Sequence, residues 1–200
     1  MCQQTVAVSQ EPLSVSQDPA TQAHDCDELI ALFNGLFVDS HNTELVRGDD
    51  EPIYLPADAE HPHHRIVFAH GYFASALHEI SHWLIAGPQR RLLEDFGYWY
   101  RPDGRTADEQ AEFEKVEVKP QALEWIIARA CGFYFRISCD NLNGEATDTR
   151  AFKDNVYAQV LRYLEQGLSD RAQRLVDGLC QHYHQPTLSA SLFDRRDLDW

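Results

Sequence analysis

His78, Glu79, Ile80, Ser81 and His82 spell H-E-x-x-H, a pattern that commits its segment to a helix and points that helix at a cation. On a helix, residues at i and i+4 lie one above the other with Cβ atoms about 5–6 Å apart. Two imidazoles so placed can converge on one ion. Glu79 leaves the axis about 100° further round, so it reads as a neighbouring acid or base rather than a third ligand on the same stripe. A chain with ten histidines can hold such a motif by accident, and its surroundings must therefore support it. They do. Residues 65–69 (Arg-Ile-Val-Phe-Ala) read as a short buried strand, His70 and Gly71 as a turn, and residues 75–86 as a helix. Leu77, Ile80, Leu84 and Ile85 give that helix an apolar stripe, and Gly87 and Pro88 end it.

Residues 1–25, rich in Gln, Ser, Thr and Pro, have too few large apolar side chains to offset ordering entropy and read as a disordered extension. Residues 26–188 then form one metal-binding domain, and residues 189–200, charged and irregular, a tail. Leu29, Ile30, Leu32, Phe33, Leu36 and Phe37 follow helical periodicity. Short extended pieces follow at 44–47 and 52–56, and Tyr98, Trp99 and Tyr100 read as a strand entering a turn. Thr106 and Glu109 have the form of a capping box. Pro120 fits the first turn of a separate helix over 121–130, stopped by Gly132. Two amphipathic helices follow, one from Phe152 to a stop near Gly167 and one carrying Leu175, Val176, Leu179 and Tyr183. The expected fold is α+β, a small mixed sheet supporting the metal-bearing helix with later helices packed round it.

Two histidines do not complete a catalytic site, because zinc enzymes use three protein ligands and non-haem iron oxygenases two His and one carboxylate. The acid is sought among Glu114, Glu117 and Glu124. If the helix after Pro120 begins a turn early, Glu117, Gln121 and Glu124 share one face, which makes Glu117 the first choice and the other two reserves. His70 is a candidate fourth ligand or supporting donor. His61, His63 and His64 cluster in a Pro-containing loop and receive no role.

Several classes are disfavoured. A net charge of −15 argues against nucleic acid, whose phosphates need clustered Lys and Arg, and suits a cationic substrate. No run of eighteen apolar residues and no basic, apolar leader occurs, so no membrane partner and a cytoplasmic, soluble protein are expected. Cys2, Cys26, Cys131, Cys139 and Cys180 form no C-x-x-C pair and read as reduced thiols. A metalloprotease is the first reaction class that the motif suggests, with Glu79 taking a proton from metal-bound water. The longer secreted-protease pattern would need Gly and His where Ile85 and Pro88 stand. No histidine is followed two residues on by Asp or Glu, the arrangement of double-stranded β-helix oxygenases. A cytosolic zinc metallopeptidase, a helical iron oxygenase and a non-catalytic metal-stabilised binding protein remain.

One further pattern narrows the choice. Residues 48–60 (Gly-Asp-Asp-Glu-Pro-Ile-Tyr-Leu-Pro-Ala-Asp-Ala-Glu), 65–71, 78–83 (His-Glu-Ile-Ser-His-Trp), 95–100 (Asp-Phe-Gly-Tyr-Trp-Tyr) and 116–123 (Val-Glu-Val-Lys-Pro-Gln-Ala-Leu) closely resemble the bacterial elongation factor P hydroxylase family, over roughly 27–186. The resemblance implies a cytoplasmic enzyme that hydroxylates the modified lysine of elongation factor P after β-lysine has been attached. It also implies a metalloprotease-like (zincin-like) fold around the metal helix. Fe(II), with zinc as the alternative, would be bound by His78, His82 and Glu117, with Glu79 as the catalytic acid or base. Asp49, Asp50, Glu51 and the aromatic residues 98–100 are candidates for docking the protein substrate.

Overall fold

Strand β3 (His64–Phe68) lies at the centre of a three-stranded sheet, parallel to β1 (Thr43–Arg47) and antiparallel to β2 (Ile53–Leu55). The computed structural model describes residues 24–95, 104–138 and 148–199. Register pairs Leu45 with Ile66 on one side and Tyr54 with Ile66 on the other. Leu45, Ile66 and Phe68 are buried, so alternate residues of β1 and β3 turn one face of the sheet into the core. The expected α+β architecture with a small mixed sheet is present. The extension read over 1–25 lies outside the described residues as far as residue 23, as do the aromatic residues 98–100.

Helix α1 (Cys26–His41) is opened by Asp25, whose carboxylate accepts from the Asp27 amide, and closed by Asn42 in the left-handed region. It buries Leu29, Phe33 and Phe37 and packs on β1. Helix α2 (Phe73–Ile85) carries the H-E-x-x-H motif and starts two residues before its sequence-derived position. Its buried side, Phe73, Ala76, Leu77, Ile80, Trp83 and Leu84, rests on β3 and on the third helix. The turn from β3 into α2 needs positive φ at both His70 and Gly71. Glycine suits Gly71 for its conformation; a Cβ there would meet only the movable Arg47 guanidinium, at 2.6 Å.

Helix α3 (Ala107–Cys131) corrects the sequence reading, because it runs unbroken through Pro120 where two helices were expected. The capping box at Thr106 and Glu109 is formed, and Gly132 ends the helix in the left-handed region. Pro120 removes a single bond, the one its missing N–H would give to the carbonyl of Val116. That carbonyl belongs to an exposed residue, where water can serve it. The half beyond Pro120 is buried nearly all round, since α2, α4 (Arg150–Gln166) and α5 (Asp170–His182) all pack on α3.

The last segment is also more ordered than its charge suggests. Residues 190–198 make two 3-10 turns, and Phe193 packs edge-on to Trp125 at 5.3 Å while Leu198 is fully buried. Burial of each such side chain stabilises by about 1.5–3 kcal/mol while the segment's charges stay outside. Arg129 pairs with Asp197 at 2.6 Å to fasten it. The segment read as a tail thus carries two apolar anchors, hidden among charged neighbours.

Arg171 of α5 fixes the C-terminal end of α2. Its guanidinium donates to the carbonyls of Trp83, Leu84 and Ala86 at 3.0, 3.1 and 2.8 Å and lies 4.6 Å from the Trp83 ring centroid. Burial, then Arg91, pull its pKa down to about 10, so it remains charged at neutral pH. Charge-assisted bonds of this kind are worth about 1.5–3 kcal/mol each, and they cooperate with the helix dipole. Arg171→Ala is expected to lower the unfolding free energy by about 2–3 kcal/mol, read from urea denaturation, and Arg171→Lys is expected to recover only part of it.

Candidate metal centre

Three polar side chains, Glu117, Gln121 and Glu124, are buried on one face of α3, at 4, 0 and 8% exposure. Polar burial on this scale is costly unless each group is satisfied, and here the satisfaction comes from α2 and from one extended segment. His78 and His82 stand one turn apart on α2 with their Nε2 atoms 3.0 Å from each other. The carboxylate of Glu117 lies 3.5 Å from His82 Nε2 and 3.9 Å from His78 Nε2. Among the described residues, His78, His82 and Glu117 form the one cluster of metal-ligating type, with one ligand atom from each lying within 4.8 Å of the others.

Glu124 takes a different position from its neighbour on the helix. It sits 2.8 Å from His78 Nδ1, on the far side of the ring from Glu117. A carboxylate on Nδ1 holds the proton there and turns the Nε2 lone pair toward the cluster, the arrangement in which metal-binding histidines are commonly supported. Gln121, between the two acids, has its carboxamide bonded to the Ser138 backbone on both sides, at 3.0 and 2.7 Å, and also reaches Glu117.

The donor set suits a cation. Two imidazole nitrogens facing each other at 3.0 Å cannot both be bare acceptors, so a proton or a metal must lie between them. Two nitrogens bound to one ion at about 2.0–2.1 Å would stand roughly 3 Å apart. Two imidazoles and one carboxylate accept Fe(II) or Zn(II) alike.

The charges follow from this geometry. Burial opposes charge on His78, but Glu124, then Glu117 and Glu79, outweigh it and raise the pKa to about 10. Burial and the neighbouring His78 hold His82 well below the usual imidazole range. Burial raises Glu117, opposed by His78 and by the bond from Gln121. Burial also lifts Glu79 to about 7, with His78 opposing and Glu117, Glu124 and Asp95 adding to the rise. Such a carboxyl can hold or release a proton near neutral pH.

Glu79 lies between two hollows. On one side is a pocket of about 30 Å³, with room for a water or two, lined by Tyr54, His82, Trp83 and the paired Arg90 and Asp95. On the other side a cleft of about 670 Å³ reaches from His78, Glu79 and Glu124 to the surface.

The remaining sequence candidates are elsewhere. Glu114 bonds to Gln110 and is not in the cluster. His70, proposed as a fourth ligand, is exposed in the left-handed turn and lies against Tyr72. His61, His63 and His64 each have a local partner, in Asp58, Asn42 and the Ala57 amide. Asp49, Asp50 and Glu51 are exposed between β1 and β2. Sequence reasoning missed Arg90 and Asp95, which carry no recognisable spacing, and the segment 133–138, whose alternation of Phe, Tyr, Phe, Arg, Ile and Ser was a legible signal.

The model of the elongation factor P hydroxylase family matches residues 32–193. The chain belongs to that family. Within it, the elongation factor P lysine hydroxylase of Haemophilus influenzae is 58% identical over 160 residues, covering 80% of this chain and 90% of that protein. The family match runs past the resemblance read from the sequence and takes in Phe193, in keeping with the docking of the C-terminal segment.

Two predictions concern metal affinity. Glu124→Gln is expected to weaken it by about 10–100-fold with little change in unfolding midpoint, measured by competition with a chromogenic chelator. The raised pKa of His78 means that the metal-free protein carries a proton there at neutral pH, which a metal must displace. Apparent affinity is therefore expected to rise about tenfold per pH unit from pH 7 to 9 and to level off above about 10. By the same linkage, the stability that the protonated pair lends the metal-free protein is fully present below the unfolded pKa near 6.5 and is lost as pH rises through about 10.

Proposed function

We propose that this protein hydroxylates the β-lysylated lysine side chain of elongation factor P in the cytoplasm, with Fe(II) held by His78, His82 and Glu117 and dioxygen as the oxidant. The observation that carries the reading is the convergence of two imidazoles and one buried carboxylate in a chain of the elongation factor P hydroxylase family. Iron bound there would supply activation of dioxygen for insertion of one oxygen atom into a carbon–hydrogen bond.

The protein's own groups have separable tasks. Glu124 orients His78 by holding the Nδ1 proton. Glu79, whose carboxyl titrates near neutral pH, holds and passes a proton beside the centre. Glu79 and Glu124 also bring carboxyl oxygens to the inner end of the cleft, acceptors that suit the amines of a lysine derivative. A net charge of −15 speaks against nucleic acid as a direct partner. Among the described residues no helix is long and apolar enough to cross a membrane.

H-E-x-x-H is also the motif of zinc metallopeptidases, and Zn(II) would suit the same donors. Kinship with a relative named as a lysine hydroxylase favours the redox-active metal over hydrolysis.

The test is the intact mass of β-lysylated elongation factor P after incubation with the Fe(II)-loaded protein, in air and without oxygen. A gain of one oxygen atom only in air is expected; cleavage that persists without oxygen would replace this reading with the peptidase. His78→Ala or His82→Ala is expected to abolish both metal retention and hydroxylation. Glu79→Gln is expected to keep the metal and slow hydroxylation by at least about 10²-fold, the usual weight of a positioned acid or base.

A further inference from the structure

Residues 133–138 leave α3 at Gly132 and run along the cleft beside the metal centre. Phe135 and Ile137 are buried while Tyr134 and Arg136 are exposed, the two-residue period of an extended strand. The segment is firmly held. Phe135 stacks on Trp125 at 5.5 Å, and the carboxamide of Gln121 takes both the N–H and the C=O of Ser138 as a neighbouring strand would.

Its backbone is otherwise open. The N–H and C=O groups of Tyr134, Phe135, Arg136 and Ile137 make no hydrogen bond within the described residues. An extended segment with anchored side chains and unpaired backbone groups is a template for another chain. By the same period, the backbone groups of Arg136 and Tyr134 point to the side on which Gln121 meets Ser138. That is the side of α3, whose Glu124 and Ala128 line the cleft.

The opposite wall comes from the start of α2, and Tyr72 there is 64% exposed, as Tyr134 is 65% exposed on the segment. Large aromatic side chains at the lip of a cleft are typical anchors for a protein partner. At about 670 Å³ the cleft is within the size range of sites that enclose a whole ligand. Its inner end carries His78 and the carboxylates of Glu79 and Glu124, and its outer wall carries Arg136. An occupant is therefore expected to send a cationic side chain inward.

We propose that this cleft is the docking surface for the segment of elongation factor P that carries the modified lysine. Tyr72 and Tyr134 grip that segment at the entrance, the free backbone groups of Tyr134 and Arg136 hydrogen-bond to its main chain, and the lysine side chain runs inward to Glu79 and Glu124. The assignment rests on the function proposed above, and it adds the surface and the mode of recognition.

The test pairs calorimetric titration of the Fe(II)-loaded protein by β-lysylated elongation factor P with the hydroxylation assay. The double variant Y72A/Y134A, altered only at exposed positions, is expected to raise Kd and KM at least tenfold while keeping its metal. Arg136→Pro, which removes one backbone donor without disturbing an existing bond, is expected to weaken binding several-fold more than Arg136→Ala. Full-affinity binding by Y72A/Y134A and by Arg136→Pro, with an active wild type, overturns the surface. A wild type that fails to bind elongation factor P overturns it too. Binding that is lost in these variants, while the wild type binds but adds no oxygen, upholds the surface and overturns the hydroxylation.

Discussion

The ion pair between His78 and Glu124 is the interaction on which the centre depends, because it joins α2 to α3 where both are buried and sets the direction of the His78 ring. Its 2.8 Å separation fixes the imidazole ring about its long axis. Rotation of that ring would carry Nε2 away from His82 and from Glu117 together. Glu117 and Glu124, seven residues apart on one helix face, thus approach the same histidine from opposite edges. Glu117 faces the Nε2 edge while Glu124 keeps the ring in place.

This arrangement explains why α3 must be one helix. Had it broken at Pro120, Glu117 would have belonged to a separate element, free to move relative to Glu124. The continuous helix holds the two carboxylates in register, and the cost is the lost bond and the ring's crowding at the exposed Val116 carbonyl. Gln121 adds a second constraint from the same face, since its amide is engaged with Ser138 while its nitrogen also reaches Glu117. The Glu117 carboxylate is consequently tied to the wall of the cleft as well as placed beside the histidines.

Much of this was legible because it is local. The strand, turn and helix around residues 65–86 follow from periodicity and from Gly71, Gly87 and Pro88, and the capping box at Thr106 and Glu109 marks its helix start to the residue. Grouping Glu117 with Gln121 and Glu124 needed only helix geometry. What spacing could not supply was which acid faces which edge of His78, since that depends on how α2 crosses α3, a tertiary fact. Pro120 misled because proline favours the first turn of a helix, a local preference that the packing of α2, α4 and α5 on one axis overrode. The docked C-terminal segment was obscured for a related reason. Phe193 and Leu198 are too few to give a period, and only the presence of Trp125 across the fold makes them core residues.

The opposite ends of α2 are treated unequally, and the difference bears on how the centre opens. Its C-terminal carbonyls are held by Arg171, whose guanidinium also covers Trp83, one residue beyond His82. Its N-terminal end follows a turn with two successive residues of positive φ and leads past the exposed Tyr72 to the wall of the cleft. The clamped end therefore keeps His82 against the small pocket, where burial favours an uncharged ring. The open end leaves the His78 side reachable from solvent. A helix held at one end and accessible at the other gives a centre with one narrow flank, with room for a water or two, and one flank where a long side chain can enter.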